Sequence, residues 1–340
     1  MLWLLGTGAT LVTLVVLTRL LPKSVRTMGL GPIGSAVIAG MVVIVALWFV
    51  SLPFSFVALW WQHHWGLGPF DILAWLNAQW ATLLPSAFGA LLTIVLIVGL
   101  AGRFRRWWLV ATPVVVVIAA FFIFVSGWLD AGGTHPLRDA RLAADAQQLE
   151  RIEHVTGTPI GVQDVSQWTN QANAFTTGFG PSRHVVLWNT LLDGRFTRGE
   201  ERAVIAHELG HVRSRHLVKS IGWVALVTLP TLWLAAVATR RRGSVGDPAN
   251  LPYVILVLAV LGLLAAPFQN VVSRRYEAEA DWRSLNATRD PASERKLFQG
   301  FARTSLDDPS PPLWDYLWLE NHPTLMQRIA MVEQWRARNP

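Results

Sequence analysis

Two histidines four residues apart, with a glutamate directly after the first, define the stretch His207-Glu208-Leu209-Gly210-His211. On a helix, positions i and i+4 share one face, so both imidazoles can aim a nitrogen at a single metal ion. Glu208 then stands within reach of a water on that metal. Two nitrogen ligands and a carboxylate that moves protons form the HExxH arrangement, whose chemistry is hydrolysis by a metal-activated water. A catalytic zinc takes three protein ligands and keeps a fourth position open, so a third ligand must come from elsewhere in the chain. The 340 residues include no cysteine, which excludes disulfides and thiolate zinc sites and leaves His and carboxylates as the ligand set.

One way to complete the set extends the motif as HExxHxxGxxH. Here Ser214 stands at the glycine position and Leu217 at the third histidine position, with His216 one residue out of phase, so that scheme fails. The other source is the stretch Tyr276-Glu277-Ala278-Glu279-Ala280-Asp281. Glu277 and Asp281 lie on one helical face. Glu277 can ligate the metal while Asp281 reaches a ligating histidine from behind and fixes its tautomer. Glu279 points elsewhere and is expected in solvent. The bland alternative for the cluster is an acidic surface face, and its pairing with HExxH argues against that. His63 and His64 read as a hydrated interfacial pair rather than a second metal site.

The elements that must position these residues are set in a chain 52% hydrophobic and only 15% charged, against about a quarter charged in soluble proteins. The expectation is an integral membrane protein carrying a polar domain. Apolar runs at 2–21, 33–61, 83–101, 107–129, 221–238 and 253–271 give six spans of roughly the length a bilayer core needs. The first reads as an uncleaved span, because no positive charge precedes it and no clear small-residue cleavage site follows. Residues 62–80 form a polar, tryptophan-containing connector. The net charge of +7 comes largely from arginines at span ends, and the 18 tryptophans suit interfacial belts, so membrane lipids are the expected partner and nucleic acid is not.

Past residue 130 the chain becomes polar. Residues 137–155 have the spacing of an amphipathic helix, and 159–165, 173–177 and 184–188 read as short strands. Thr197 with Glu200 is a capping box that starts the motif helix, which is expected to run on through His216 into the fifth span. Further helices are expected at 276–286, 293–303 and 324–338. The organisation is then a membrane region at 1–129, the motif domain at 130–220, a two-span hairpin at 221–272, and a closing segment at 273–340.

With these residues in hand, the chain resembles the M48 membrane zinc peptidases, specifically the CAAX prenyl protease type, to which the HtpX proteases are related. Leu52-Pro53-Phe54-Ser55 resembles an LPFS segment of that family, and Gly66-Leu67-Gly68 stands where it has a GFN-like stretch. Asn173-Ala174-Phe175 resembles its NAF-type strand, and residues 185–192 (VVLWNTLL) its IVLFDTLL strand. Arg275 to Asp281 matches its second metal motif, and Asn321-His322-Pro323-Thr324 with Arg328-Ile329 its late SHPT…RI motif. The resemblance implies a multi-span α-helical membrane protein with an α+β gluzincin-type domain and one zinc ion held by His207, His211 and Glu277. It implies endopeptidase activity with Glu208 as the general base and protein or peptide substrates, membrane-associated or lipidated among them. Asn173, Ala174 and Phe175 would line the cleft as an edge for strand addition. His322 and Arg328 would be donors to the developing oxyanion. The chain departs from the CAAX type in having six spans rather than seven, and in replacing most acidic and aromatic residues around the LPFS segment.

Three short loops carrying Lys23 and Arg26, Arg103 to Arg106, and Arg240 to Arg242 fall on one face of a six-span layout, and the opposite connector carries no Lys or Arg. The positive-inside rule makes that face cytoplasmic and puts the motif domain outside the cytoplasm, with the inner (plasma) membrane as the expected location. The family resemblance implies the opposite face; the charge reading is slightly preferred. Two other functions stay open: an HtpX-like quality-control protease, and a non-catalytic membrane sensor that kept the fold.

Overall fold

The structure, a computed structural model, describes residues 1–339. The chain forms two compact units. The first comprises Met1–Trp65, Phe70–Ile118 and Trp223–Leu264, and the second Gly66–Pro69, Ala119–Gly222 and Ala265–Pro340.

Among the described residues, six helices are long and apolar enough to cross a bilayer, and the chain is an integral membrane protein. They are α1 (Leu2–Thr27), α2 (Gly31–His64), α3 (Ile72–Arg103), α4 (Trp107–Gly132), α7 (His216–Thr239) and α8 (Leu251–Thr288). Within the first unit, small and branched residues such as Ala39, Val43, Ala111 and Ala236 fill the helix contacts. Close packing by small side chains is what holds helices together in lipid, where burial of apolar surface gives little net drive. The polar connector is shorter than the 62–80 expected, because α3 begins at Ile72 with Asp71 as its cap. An Asp N-cap overrides the weak apolar signal of the first turns.

The second unit contains α5 (Ala140–Ile152), α6 (Arg198–Ser214), α9 (Pro291–Thr304), α10 (Leu313–Trp318) and α11 (Leu325–Arg338) around a four-stranded sheet. The strands are β1 (His135–Pro136), β2 (Ile160–Gln163), β3 (Ala174–Thr177) and β4 (His184–Trp188), in the order β1-β2-β4-β3. Strand β2 runs parallel to β4, and β3 pairs antiparallel to β4 with Ala174 opposite Leu187 and Thr176 opposite Val185. Fully buried Val185, Val186 and Leu187 make β4 the inner strand, and β3 is the outer strand on its side. Leu142, Leu149, Leu187, Ile205, Leu209, Leu285 and Phe298 form one core that fixes α6 against the sheet and against the end of α8. Truncating any of them to Ala should cost about 2–5 kcal/mol. Strand β1 and helix α10 were not foreseen, since two and six residues are too short for a periodic pattern.

The motif helix starts where the capping box puts it. Thr197 accepts from the Glu200 N–H while the Glu200 carboxylate accepts from the Thr197 N–H at 2.7 Å. Its end differs from the expectation of one continuous helix. Arg215 adopts the left-handed conformation (φ 53°, ψ 41°), and α7 begins afresh at His216. A non-glycine residue held there costs about 1 kcal/mol or more, so the surroundings must impose it.

Candidate metal centre

Helix α6 carries His207 and His211 on one face, and α8 brings Glu277 against them. The close approach depends on Gly210, where an added Cβ would lie 3.3 Å from the Arg283 Cβ and 3.4 Å from the Ala280 backbone. The His207 and His211 Nε2 atoms are 3.1 Å apart. Glu277 places Oε2 3.2 Å from His207 Nε2 and Oε1 3.5 Å from His211 Nε2. Ligand atoms of all three lie within 4.8 Å of one another.

This donor set fits a zinc ion. Two nitrogens about 2.1 Å from a tetrahedral ion stand about 3.4 Å apart, close to the separation seen. Glu277 Oε2 is buried and makes no well-angled hydrogen bond, although two imidazoles come within ion-pair distance of it. A buried carboxylate oxygen so left is costly unless a cation answers it. Burial alone would pull the His207 imidazole down, yet the Asp281 and Glu277 carboxylates outweigh it and push it up to about 10. A field that grips a proton so firmly between these groups is equally a field for a metal cation.

Each imidazole is oriented from behind. His207 Nδ1 lies 2.8 Å from Asp281 Oδ1, so its N–H donates to the carboxylate and the Nε2 lone pair faces the centre. Arg328 in turn donates to both Asp281 oxygens, at 2.8 and 2.5 Å, and lies over the Phe298 ring. Arg328 is therefore buried against Asp281 rather than facing the ligand atoms.

His211 is held by a second relay that sequence reading missed. Its Nδ1 is 2.9 Å from His216 Nδ1, and His216 Nε2 is 3.3 Å from Glu279 Oε2. The Glu279 carboxylate can only accept, so His216 Nε2–H donates to it and His216 Nδ1 accepts from His211. That leaves the His211 Nε2 lone pair free for the centre. Glu279, expected in solvent, also accepts from Ser214 at 2.5 Å, and Arg283 donates to that hydroxyl at 2.7 Å. His216 stacks on Tyr276, with ring centroids 4.3 Å apart.

Glu208 is buried beside the pair. Thr176 of β3 offers its single hydroxyl proton to Glu208 Oε2 at 2.8 Å and the Glu208 carbonyl at 3.0 Å. The outer strand is thereby pinned next to the carboxylate, and Asn173, Ala174 and Phe175 precede Thr176 along the same edge. His322 brings Nε2 within 3.1 Å of Glu277 Oε2 while remaining half exposed. All the expected site residues thus gather in the second unit.

A helical membrane protein with a His-His-Glu centre, a buried carboxylate after the first histidine and an adjoining edge strand is the architecture of a membrane metallopeptidase. The chain belongs to Peptidase family M48, whose model matches residues 136–336. It is 27% identical over 243 residues to the uncharacterized metalloprotease YhfN of Bacillus subtilis, covering 68% of this chain and 57% of that protein. It is 32% identical over 160 residues to a protease HtpX homolog of Methylibium petroleiphilum, covering 47% of this chain and 54% of that one. The chain thus spans little more than half the length of these relatives. A crystal structure of S. mikatae Ste24p shares the fold, with a TM-score of 0.74 at 19% identity over 92% of this chain and 80% of that one.

Proposed function

We propose that this chain is a membrane zinc endopeptidase that cleaves protein or peptide substrates extended along the outer edge of β3. The observation that carries the reading is the convergence of two imidazole Nε2 atoms and the Glu277 carboxylate beside the buried Glu208. Zinc held by His207, His211 and Glu277 would supply a Lewis acid and a bound water that ionises near neutral pH. Glu208, steadied by Thr176, accepts the proton of the attacking water and hands it to the leaving amine. Asn173, Ala174 and Phe175 offer main-chain groups to the substrate by strand addition. His322, half exposed next to the centre, is the donor to the developing oxyanion. Arg328 acts from behind instead, by holding Asp281 and through it His207.

Residues 1–129 and 221–272 anchor the enzyme, and 130–220 with 273–340 form its catalytic part. By the arginine-rich loops at 103–106 and 240–242, the catalytic part faces away from the cytoplasm of an inner membrane. Because the chain has no cysteine, a single Cys at residue 169 or 241 would report sidedness by labelling with a membrane-impermeant maleimide. Labelling of residue 241 alone in intact cells would overturn this orientation.

The decisive test is zinc content and cleavage of an unfolded test protein by the detergent-purified chain, beside the Glu208→Gln variant. Zinc in both with cleavage only by the wild type is the expected outcome. Zinc in neither would overturn the metal centre, and equal cleavage by both would overturn the role of Glu208.

A further inference from the structure

Beside the metal centre, on the Thr176 side, lies a cavity of about 510 Å³. His211 and Thr176 are among its lining residues, so it adjoins a candidate metal ligand and the residue that holds Glu208. Arg183, Arg213, Arg215 and His154 also line it, with Val155, Phe179, Val212, Leu217 and Val218 between them, and no carboxylate does. Among the described residues, none of these three guanidiniums comes within 4 Å of a carboxylate, although the fork of Arg183 is steadied by Thr158 Oγ1 at 3.2 Å. Glu153, which does not line the cavity, is buried and pairs with Arg283 at 3.4 Å, and it also lies in the field of Arg213. Three guanidiniums around one recess, none in a salt bridge and Arg213 only partly answered by Glu153, favour an anion between them.

The other flank of the centre is of opposite sign. A cavity of about 380 Å³ near Asn173 and His322 is lined by Asp307, Asp308 and Glu320, and its one arginine, Arg328, is spent on Asp281. A strand lying along β3 therefore passes from an acidic flank at Asn173 to a basic one at Thr176.

Resting on the peptidase reading above, we propose that the Arg183–Arg213–Arg215 cavity is a substrate subsite that takes an acidic side chain, Asp or Glu, of the bound peptide. The apolar wall covers the stem of that side chain, and the guanidiniums receive its carboxylate. The acidic flank repels the same side chain, so the preference is tied to one side of the scissile bond.

Binding tests this without requiring turnover. Fluorescein-labelled, unstructured ten-residue peptides carrying one Glu at successive positions, with Gln and Lys counterparts, are titrated into the detergent-solubilised Glu208→Gln protein. Glu should bind about three- to tenfold tighter than Gln at one or two neighbouring positions only. The preference should vanish in Glu208→Gln carrying Arg213→Glu and Arg215→Glu, where Lys should now be preferred at those positions. Unchanged metal content shows that the charge-reversed protein keeps its centre; if it does not, Arg215→Gln, which removes one exposed charge, should still halve the preference or more. Equal gain from Glu at every position, or a preference indifferent to the arginines, overturns the subsite. Position-specific binding without any wild-type cleavage would sink the peptidase reading and leave the subsite standing.

Discussion

Glu294 lies in the core of the catalytic unit, 1% exposed, and its carboxyl is expected to be protonated at neutral pH. Burial, and then the Asp281 carboxylate, push it up to about 8. The hydrogen bonding agrees: Ser284 Oγ lies 2.9 Å from the Ala203 carbonyl and 2.9 Å from Glu294 Oε2. A hydroxyl carries one proton, so if that proton serves the carbonyl, the second contact is a bond only when the carboxyl itself donates. An acid whose folded value is raised stabilises the fold fully below its unfolded value of 4.5, and loses that contribution as pH rises through about 8. The gap corresponds to about 5 kcal/mol at most. Glu294→Gln keeps the shape and an N–H donor for Ser284 but cannot ionise. Unfolding of the two proteins in detergent, followed by near-ultraviolet circular dichroism between pH 4.5 and 9, isolates this group as a difference. The two should be of similar stability near pH 4.5. The variant should become progressively the more stable one toward pH 9. Parallel curves would refute the reasoning.

Asp281→Ala would leave Arg328 buried without its partner and His207 without its anchor, costing about 3–5 kcal/mol and weakening zinc about 10- to 100-fold; wild-type zinc affinity in a competition titration would refute this. His216→Ala should weaken zinc about tenfold, because it frees the His211 ring to turn, as well as costing the stability of a buried, stacked ring. A stability loss with unchanged zinc affinity would make His216 merely structural. Gly210→Val should force α6 and α8 apart at Ala280 and Arg283 and lower zinc content with activity, whereas full metal loading would show that the helices yield elsewhere.

The shared faces of the candidate ligands were legible in the sequence because helical periodicity is local: His207 and His211, and Glu277 and Asp281, need only the i, i+4 rule. The capping box and the six spans were legible for the same reason, as patterns within a few turns. The His211 relay escaped because of a single backbone residue. In an unbroken helix, positions five apart point about 140° away from each other, so His211 and His216 would not meet. The left-handed Arg215 turns the chain back, and nothing in its residue type announces that, since glycine or asparagine is the usual signal. Glu279 is 40% exposed, in line with the expectation of solvent, but its contact with His216 escaped for the same reason. Arg328 read as a cleft donor because a sequence shows that an arginine is near a site, never which carboxylate claims it.

The two orienting relays differ in kind but start from one helix. Along α8, Glu277, Asp281 and Ser284 follow the i, i+4, i+7 stripe that faces α6, so one stripe supplies a metal-facing carboxylate, the anchor of His207 and a tie to the Ala203 carbonyl. Glu279 lies about 200° around from Glu277, on the flank of α8, and can serve His211 only because His216 bridges the gap. The His207 anchor is a buried ion pair, rigid and costly to break. The His211 anchor ends in a carboxylate 40% exposed and shared with Ser214, Lys219 and Arg283. The strained turn at Arg215 is thus explained by what it achieves. It brings a histidine to the Nδ1 side of an imidazole whose Nε2 side faces Glu277, and zinc lost through the His211 side should be the softer failure of the centre.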